Sequence, residues 1–367
     1  MNLTGLDAWL HCLLTPGLGA AHWLRVLQGW GEPEHALAAS HAALSDVLGA
    51  ALARRLLSHD SQAGRQAVHD WLALGDHRQL LRLDDRDYPV PLLHSPTPPP
   101  LLFLHGRREL LNRPMIAVVG SRHATVQGAA TAQAWAKGLG QAGFTVVSGM
   151  AAGIDAAAHA GALETPASSV AVIGTGIDRI YPASNQALAR QLAGQGLIVS
   201  EFPLEAKPLA MHFPRRNRII AGLSLGCLVV EASLKSGSLI TGRLAADYGR
   251  EVFAVPGSIH STHAKGCHRL IRDGATLVEC LDDILQPLGA PAGLPPVSTP
   301  IAPSAPPAPA QGEDAALLAA MGFDPVDSDT LCGRLGLTAD ALSAMLLRLE
   351  MAGRLETLPG GRYQRMA

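Results

Sequence analysis

Aromatic side chains are scarce, at 4 % of 367 residues, and charged ones make up only 16 %. The formal net charge is −2, so the chain is no polycation, and any nucleic-acid site has to be a local patch. Cysteine is rare as well. Cys12, Cys227, Cys267, Cys280 and Cys332 form no CxxC pair, and Cys12, Cys227 and Cys280 sit in or beside apolar runs. This predicts buried free thiols in a reducing cytosol rather than disulfides. No apolar stretch reaches the length of a membrane span, and the N-terminus lacks a basic segment followed by an apolar one. A cytoplasmic protein with no membrane partner is expected. Two cofactor signatures are missing too. There is no GxGxxG after the first strand pattern, which disfavours a dinucleotide, and no complete GxxxxGK[ST] loop, which disfavours triphosphate hydrolysis. No cofactor is expected.

Apolar residues are plentiful, and their spacing divides the chain. Residues 1–85 read as helical, with Leu6, Trp9, Leu10 and Leu13, then Leu52, Leu56 and Leu57, at helical intervals. Thr15-Pro16-Gly17-Leu18-Gly19 separates the first two helices. The turn is compatible with a helix-hairpin-helix, whose amides approach a phosphate, or with a plain tight turn. Residues 86–113 read as a connector, where Tyr88-Pro89 and Pro96 to Pro100 oppose helix and Leu101 to Leu104 give a short strand.

Residues 114–286 alternate strand and helix. Seven short apolar runs, at 115–120, 144–149, 169–174, 197–201, 227–232, 251–257 and 275–279, end in Gly, Ser or Glu or continue into them. Runs apolar on both faces belong to a parallel sheet covered by helices, so the class is α/β, a Rossmann-like doubly wound sheet. Residues 287–312 hold nine prolines and no charge, a linker composition. Residues 313–367 read as three helices and a hairpin, a winged helix, with caps at Asp327 to Asp329 and at Thr338.

Ligands of an open parallel sheet bind beyond the carboxyl ends of its strands. Gly120-Ser121-Arg122 follows the first strand, and the helix that begins near Thr125 would present amides and a dipole to an anion. After the second strand, Asp155 and His159 share a helix face. Asp155 is expected to orient His159, since two ligands do not hold a metal and no third is evident. Gly174-Thr175-Gly176 follows the third strand, and Tyr181 beyond it is placed either to stack on a base or to pack its loop. Lys207, Phe213, Arg215, Arg216, Asn217 and Arg218 follow the fourth strand, in a stretch without an acid between Glu205 and Glu231. Cations interleaved with an aromatic suit a single strand, whose backbone the charges track while the ring stacks a base. Lys235-Ser236-Gly237-Ser238 opens a helix after the fifth strand and makes another anion-friendly turn. Several such turns on one face suit a polymer of phosphates better than one nucleotide.

GSR at 120–122, SGMAAGIDAAAH at 148–159, GTGIDRIYPASN at 174–185, FPRRNRIIAGLS at 213–224, VVEASLKSGSLITG at 229–242 and GREVFAVPGS at 249–258 occur in that order. Together they resemble the run of motifs in the DprA/Smf family. The resemblance implies a non-catalytic protein that binds single-stranded DNA on the Rossmann-like domain, dimerises through that domain, and loads the recombinase RecA during natural transformation. It implies phosphate contacts at Gly120, Ser121, Arg122, Asn217, Arg218, Lys235, Ser236, Gly237 and Ser238. His268 stands where the family usually has Asn.

A rival class is a nucleotide phosphoribohydrolase of the lysine-decarboxylase-like kind. It needs PGGxGTxxE, and this chain has Lys235 to Thr241 at the comparable turn with no following Glu, so hydrolysis lacks its acid. In the last segment, residues 313–367 carry eight acidic side chains against five basic ones. Leu342, Met345, Leu346, Leu347 and Leu349 read there as more apolar surface than a small core needs. Both features predict protein contacts rather than DNA contacts for that segment.

Overall fold

The computed structural model describes residues 3–289, 313–322 and 324–365. Six helices come first: Leu6–Leu14, Ala20–Trp30, Pro33–Ala38, His41–Leu48, Ala50–Ser58 and Gln62–Leu72. Their apolar stripes bury Trp9, Leu10, Trp23, Val26, Leu44 and Leu56 in one core.

The helical expectation fails at its end. β1 (Arg78–Arg82) pairs antiparallel with β2 (Leu101–Gly106), and β2 pairs antiparallel with β6 (Leu197–Ser200). The segment read as a connector therefore joins the main sheet. β1, Arg-Gln-Leu-Leu-Arg, has no polar-apolar alternation; its arginines are engaged in the fold, Arg82 with Asp84 and Asp85 and Arg78 over the Trp71 ring. The prolines also admit a short helix, Val90–Leu93, because Pro91 sits in its first turn, where no amide is needed.

The seven expected strands form as β3 (Met115–Val119), β4 (Thr145–Ser148), β5 (Ser169–Ile173), β6, β7 (Gly226–Val229), β8 (Glu251–Ala254) and β9 (Thr276–Leu277). The order is β1-β2-β6-β5-β4-β3-β7-β8-β9, and the seven pair parallel with one another. Alternate residues feed opposite cores: Met115, Ala117 and Val119 on one face, Ile116 and Val118 on the other. From β3 the chain builds outward through β4, β5 and β6, then returns to lay β7 against β3 with Ile116 opposite Gly226. The switch point lies between β3 and β7.

The helix Asp282–Leu288 carries Pro287 inside the segment read as linker; the rest of that linker, 290–312, is outside the described residues. Beyond it are the helices Glu313–Met321, Ser328–Leu335 and Ala339–Met351, with β10 (Val326–Asp327), β11 (Leu355–Leu358) and β12 (Arg362–Arg365) in the order β10-β12-β11. Asp327 and Thr338 cap their helices as expected. The apolar excess is mostly absent, because Leu342, Met345, Leu346 and Leu349 fill the core with Leu317, Leu331 and Leu355. Leu347 is exposed, as is Met351.

Among the described residues no single helix is long and apolar enough to cross a membrane. All five cysteines are free. Cys12, Cys227 and Cys267 are buried, and burial pushes their thiols up to about 12; Cys280, expected inside, is exposed.

Candidate functional site

The loops leaving β3 and β7 border a cleft of about 590 Å³ at the switch point. Gly120, Ser121, Arg122, Phe213, Arg216, Asn217 and Lys235 to Ser238 all line it, so most of the residues singled out in the sequence meet there. Gly120 has to be glycine, since a Cβ would sit 2.6 Å from the Ile154 side chain. The turn is pinned by the Ile154 amide donating to the Ser121 carbonyl at 3.1 Å. Arg122 is exposed and lies over the Phe213 ring, 5.2 Å from its centroid; the half-exposed Tyr181 ring is 5.7 Å from Phe213. Opposite, Lys235 is exposed, the Ser236 and Ser238 hydroxyls are 2.6 Å apart, and Asn217 Nδ2 donates to the Gly237 carbonyl at 3.3 Å. The first amides of the helix Ser238–Asp247 are already engaged, Ser238 N donating to Ser236 Oγ at 3.3 Å, Leu239 N to the Ser236 carbonyl at 3.3 Å and Ile240 N to the Gly237 carbonyl at 3.1 Å, so the turn offers an anion its ammonium and hydroxyls rather than the helix end.

The other helix end at the switch point is already taken. Thr125 N and Oγ1 donate to the Glu231 carboxylate at 2.9 and 2.5 Å, and Thr125 Oγ1 accepts from Gly128 N at 3.0 Å. An anion expected at the start of the helix Val126–Gln141 is thus the protein's own side chain, and Glu231 is a residue the sequence reading passed over.

The basic cluster divides. Arg216 is buried: its Nη1 donates to the carbonyls of Gly149 and Val172, and a Cβ on Gly149 would collide with the guanidinium. Burial lowers its pKa to about 10 against the opposing pull of Asp155. Arg218 is bound to Glu201 and to the Thr97 carbonyl. Arg215 remains exposed, with Nε 3.2 Å from Glu201 and its guanidinium over Phe202. A run of cations without intervening acids hid Glu201, which the fold brings in from the end of β6. The expected phosphate roles of Arg216 and Arg218 meet groups already engaged by the protein.

Gly174 lies under the Phe213 ring, and Gly176 packs against Asp178 and the Pro203 carbonyl, so both shape the loop rather than line the cleft. Lys207 is exposed outside the cleft lining. Asp155 does not orient His159. It accepts from the Gly149 and Ala151 amides at 3.1 and 3.3 Å, while His159 accepts from the Met150 amide through Nε2 and meets Ser169 Oγ through Nδ1 at 2.7 Å. Desolvation raises the Asp155 pKa and lowers that of His159 to about 3. Both hold the turn after β4, where Met150 takes a positive φ of 57° and Asn185 Nδ2 donates to its carbonyl. His268 keeps a polar role, its Nε2 2.9 Å from the Gly257 carbonyl.

Two family models match the chain: DNA recombination-mediator protein A over residues 79–289, and the DprA winged helix domain over residues 301–361. Protein Smf of Synechocystis is 35 % identical over 97 % of this chain and 98 % of its own length. DNA processing protein DprA of Streptococcus pneumoniae is 47 % identical over 55 % of this chain and 71 % of its own. A solved structure of the S. pneumoniae protein superposes with a TM-score of 0.68 at 37 % identity, covering 78 % of this chain and 98 % of that one. A second, DNA processing protein A from Helicobacter pylori, described for its single-stranded DNA binding mode, gives 0.53 at 29 % identity over 58 % and 96 %.

Proposed function

Because the chain belongs to the DNA recombination-mediator protein A family, and so is a DNA-processing protein of recombination, we propose that its switch-point cleft binds the backbone of single-stranded DNA. One observation carries this reading: the exposed Arg122 stands across the cleft from the exposed Lys235 and the paired serines Ser236 and Ser238, and the same cleft presents Phe213 and Tyr181. Charges and hydroxyls suit phosphates, and half-open rings suit unpaired bases, which a duplex keeps stacked. Arg122, Lys235, Ser121, Ser236 and Ser238 are assigned to phosphate, Phe213 and Tyr181 to bases.

The reading is non-catalytic. The two carboxylates beside the cleft are committed elsewhere, Asp155 to backbone amides and Glu231 to Thr125, so neither is poised as a general base. This also counts against the phosphoribohydrolase alternative. Loading of RecA, a homodimer formed through the sheet-bearing unit, and action in the cytoplasm fit the family and are part of the proposal. So is the division into an N-terminal helical unit, a sheet unit that takes in β1 and β2, and the C-terminal winged helix.

The test is a gel shift with single-stranded and duplex DNA of one sequence, followed by RecA filament formation on the strand coated with single-strand-binding protein. Preference for the single strand and faster filament growth are expected. Equal affinity for duplex would overturn the base-stacking part.

A further inference from the structure

A second cleft, of about 420 Å³, lies between the N-terminal helices and the carboxyl end of β6. One wall is the Thr15-Pro16-Gly17-Leu18-Gly19 turn and the start of the helix Ala20–Trp30. The turn is rigid: Gly17 has φ 87°, Thr15 Oγ1 donates to the His11 carbonyl at 2.8 Å, and Arg55 Nη1 donates to the Pro16 carbonyl at 2.9 Å. Gly19 supplies no side-chain cap, and its carbonyl takes the His22 and Trp23 amides at 3.0 Å, so the Ala20 and Ala21 amides of this 11-residue helix are left without a hydrogen bond among the described residues, with Gly19 and Ala20 on the cleft lining. Independently, Trp23 lines the same cleft, is 2 % exposed, and its indole N–H has no acceptor among the described residues. A buried donor without a partner is costly unless a ligand or water supplies the acceptor.

The opposite wall carries Arg215 and Glu201. Glu201 is neutralised by Arg218, which pairs with it from behind this wall, and Arg215, 3.2 Å from Glu201 through Nε, is the cation on the cleft lining. Arg215 also ties the two clefts together. It follows Pro214 on the helix His212–Leu223, and Phe213 and Pro214 line the switch-point cleft while Arg215 lines this one.

We propose that this second cleft is a phosphate subsite for the continuation of the strand, which leaves the switch-point cleft over Arg215 and reaches the amide end of the helix Ala20–Trp30. The inference rests on the strand-binding function proposed above. It gives the N-terminal helices a role in binding that the sheet alone does not require.

Gly19→Asp tests it. Gly19 has φ −75° and open space around a Cβ, so the aspartate is tolerated and serves as a good cap. Its carboxylate then occupies the amides and repels a phosphate. Affinity is measured for oligonucleotides of about six and about twenty nucleotides, the span of typical single-strand sites and beyond. The variant should melt at or above the wild-type temperature, bind the short strand as the wild type does, and lose about three- to tenfold on the long one. A photoreactive base at the end of the long strand should label the peptide 13–23 in the wild type and not in the variant. A folded variant that binds the long strand like the wild type, or weakens equally on both lengths, overturns the subsite. Failure of the wild type to bind either strand overturns the strand-binding function itself.

Discussion

Thr125 and Glu231 stand 106 residues apart in the sequence and are joined by two hydrogen bonds, the Thr125 amide and hydroxyl both donating to the Glu231 carboxylate. The pair bridges the switch point from the end of β7 to the helix that follows β3, and so fixes Ser121 and Arg122 against Lys235 and Ser236. Glu231→Ala should lose about 1–3 kcal/mol of stability, because two donors at a helix start are left without their acceptor. Chemical denaturation reads this directly. An unchanged midpoint would mean that Thr125 alone caps the helix.

Arg122→Ala should weaken single-stranded DNA binding by about 1.5–3 kcal/mol, the worth of a charge-assisted contact. Arg122 is exposed, and its visible partner is the face of Phe213, so the fold should be intact. Wild-type affinity should fall steeply with added salt, and the variant's salt slope should be shallower by about one charge. A folded Arg122→Ala protein with full affinity removes Arg122 from the site.

Arg216→Met should behave oppositely to Arg122→Ala. It leaves the buried Gly149 and Val172 carbonyls without a donor and removes the positive charge that opposes the desolvation of Asp155. A buried polar group left without its partner costs about 1–3 kcal/mol, so the expected result is poor folding rather than a selective binding defect. A stable Arg216→Met protein with weakened DNA binding would return Arg216 to the phosphate contacts.

The contrast shows what was legible in the sequence. The seven parallel strands were, because a strand buried on both faces is an apolar run, and so was the ring of glycine and serine turns at their ends. The inward turn of Arg216 was also available: it lies three and four residues before Ile219 and Ile220, on the buried stripe of its helix. Reading the arginines as one cluster ignored that rotation. Glu201 and Glu231 were not legible as partners, because their contacts with Arg218 and Thr125 are set by strand order rather than by spacing. β1 escaped for a related reason, since its pairing with β2 decides its conformation and its five residues carry no alternation.

His159 predicts an acid-sensitive fold. Burial holds its folded pKa at about 3, below the ordinary 6.5, so the unfolded chain binds the proton more readily. The stabilisation is complete above 6.5 and is lost progressively as pH falls from 6.5 towards 3. His105, brought to about 4 mainly by burial, adds in the same direction. Asp155, raised by burial, works in the opposite sense, so the histidine term is isolated by comparison with a variant. Melting temperature should fall between about pH 7.5 and about pH 5, and His159→Asn, though less stable, should show the shallower slope. Equal slopes would remove His159 as the source.

The winged helix invites a duplex-DNA role through its third helix, and its side chains argue against one. Eight acids face five bases over residues 313–367. Three of those bases hold their own unit together: Arg334 donates to the Ala320 carbonyl, Arg348 pairs with Asp314, and Arg365 donates to the Leu318 carbonyl. Beside the exposed Asp340, Ser343, Arg348 and Glu350, the helix Ala339–Met351 exposes two large apolar side chains, Leu347 at 59 % and Met351 at 83 %, four residues apart and so on one face. That face suits a protein partner better than phosphates. A chain ending at Leu288 should therefore keep its affinity for single-stranded DNA. Leu347→Asp with Met351→Asp in the full chain should leave that affinity unchanged while weakening self-association or stimulation of RecA. A tenfold loss of DNA affinity on truncation, about 1.4 kcal/mol, at equal dimer content would assign the winged helix to DNA instead.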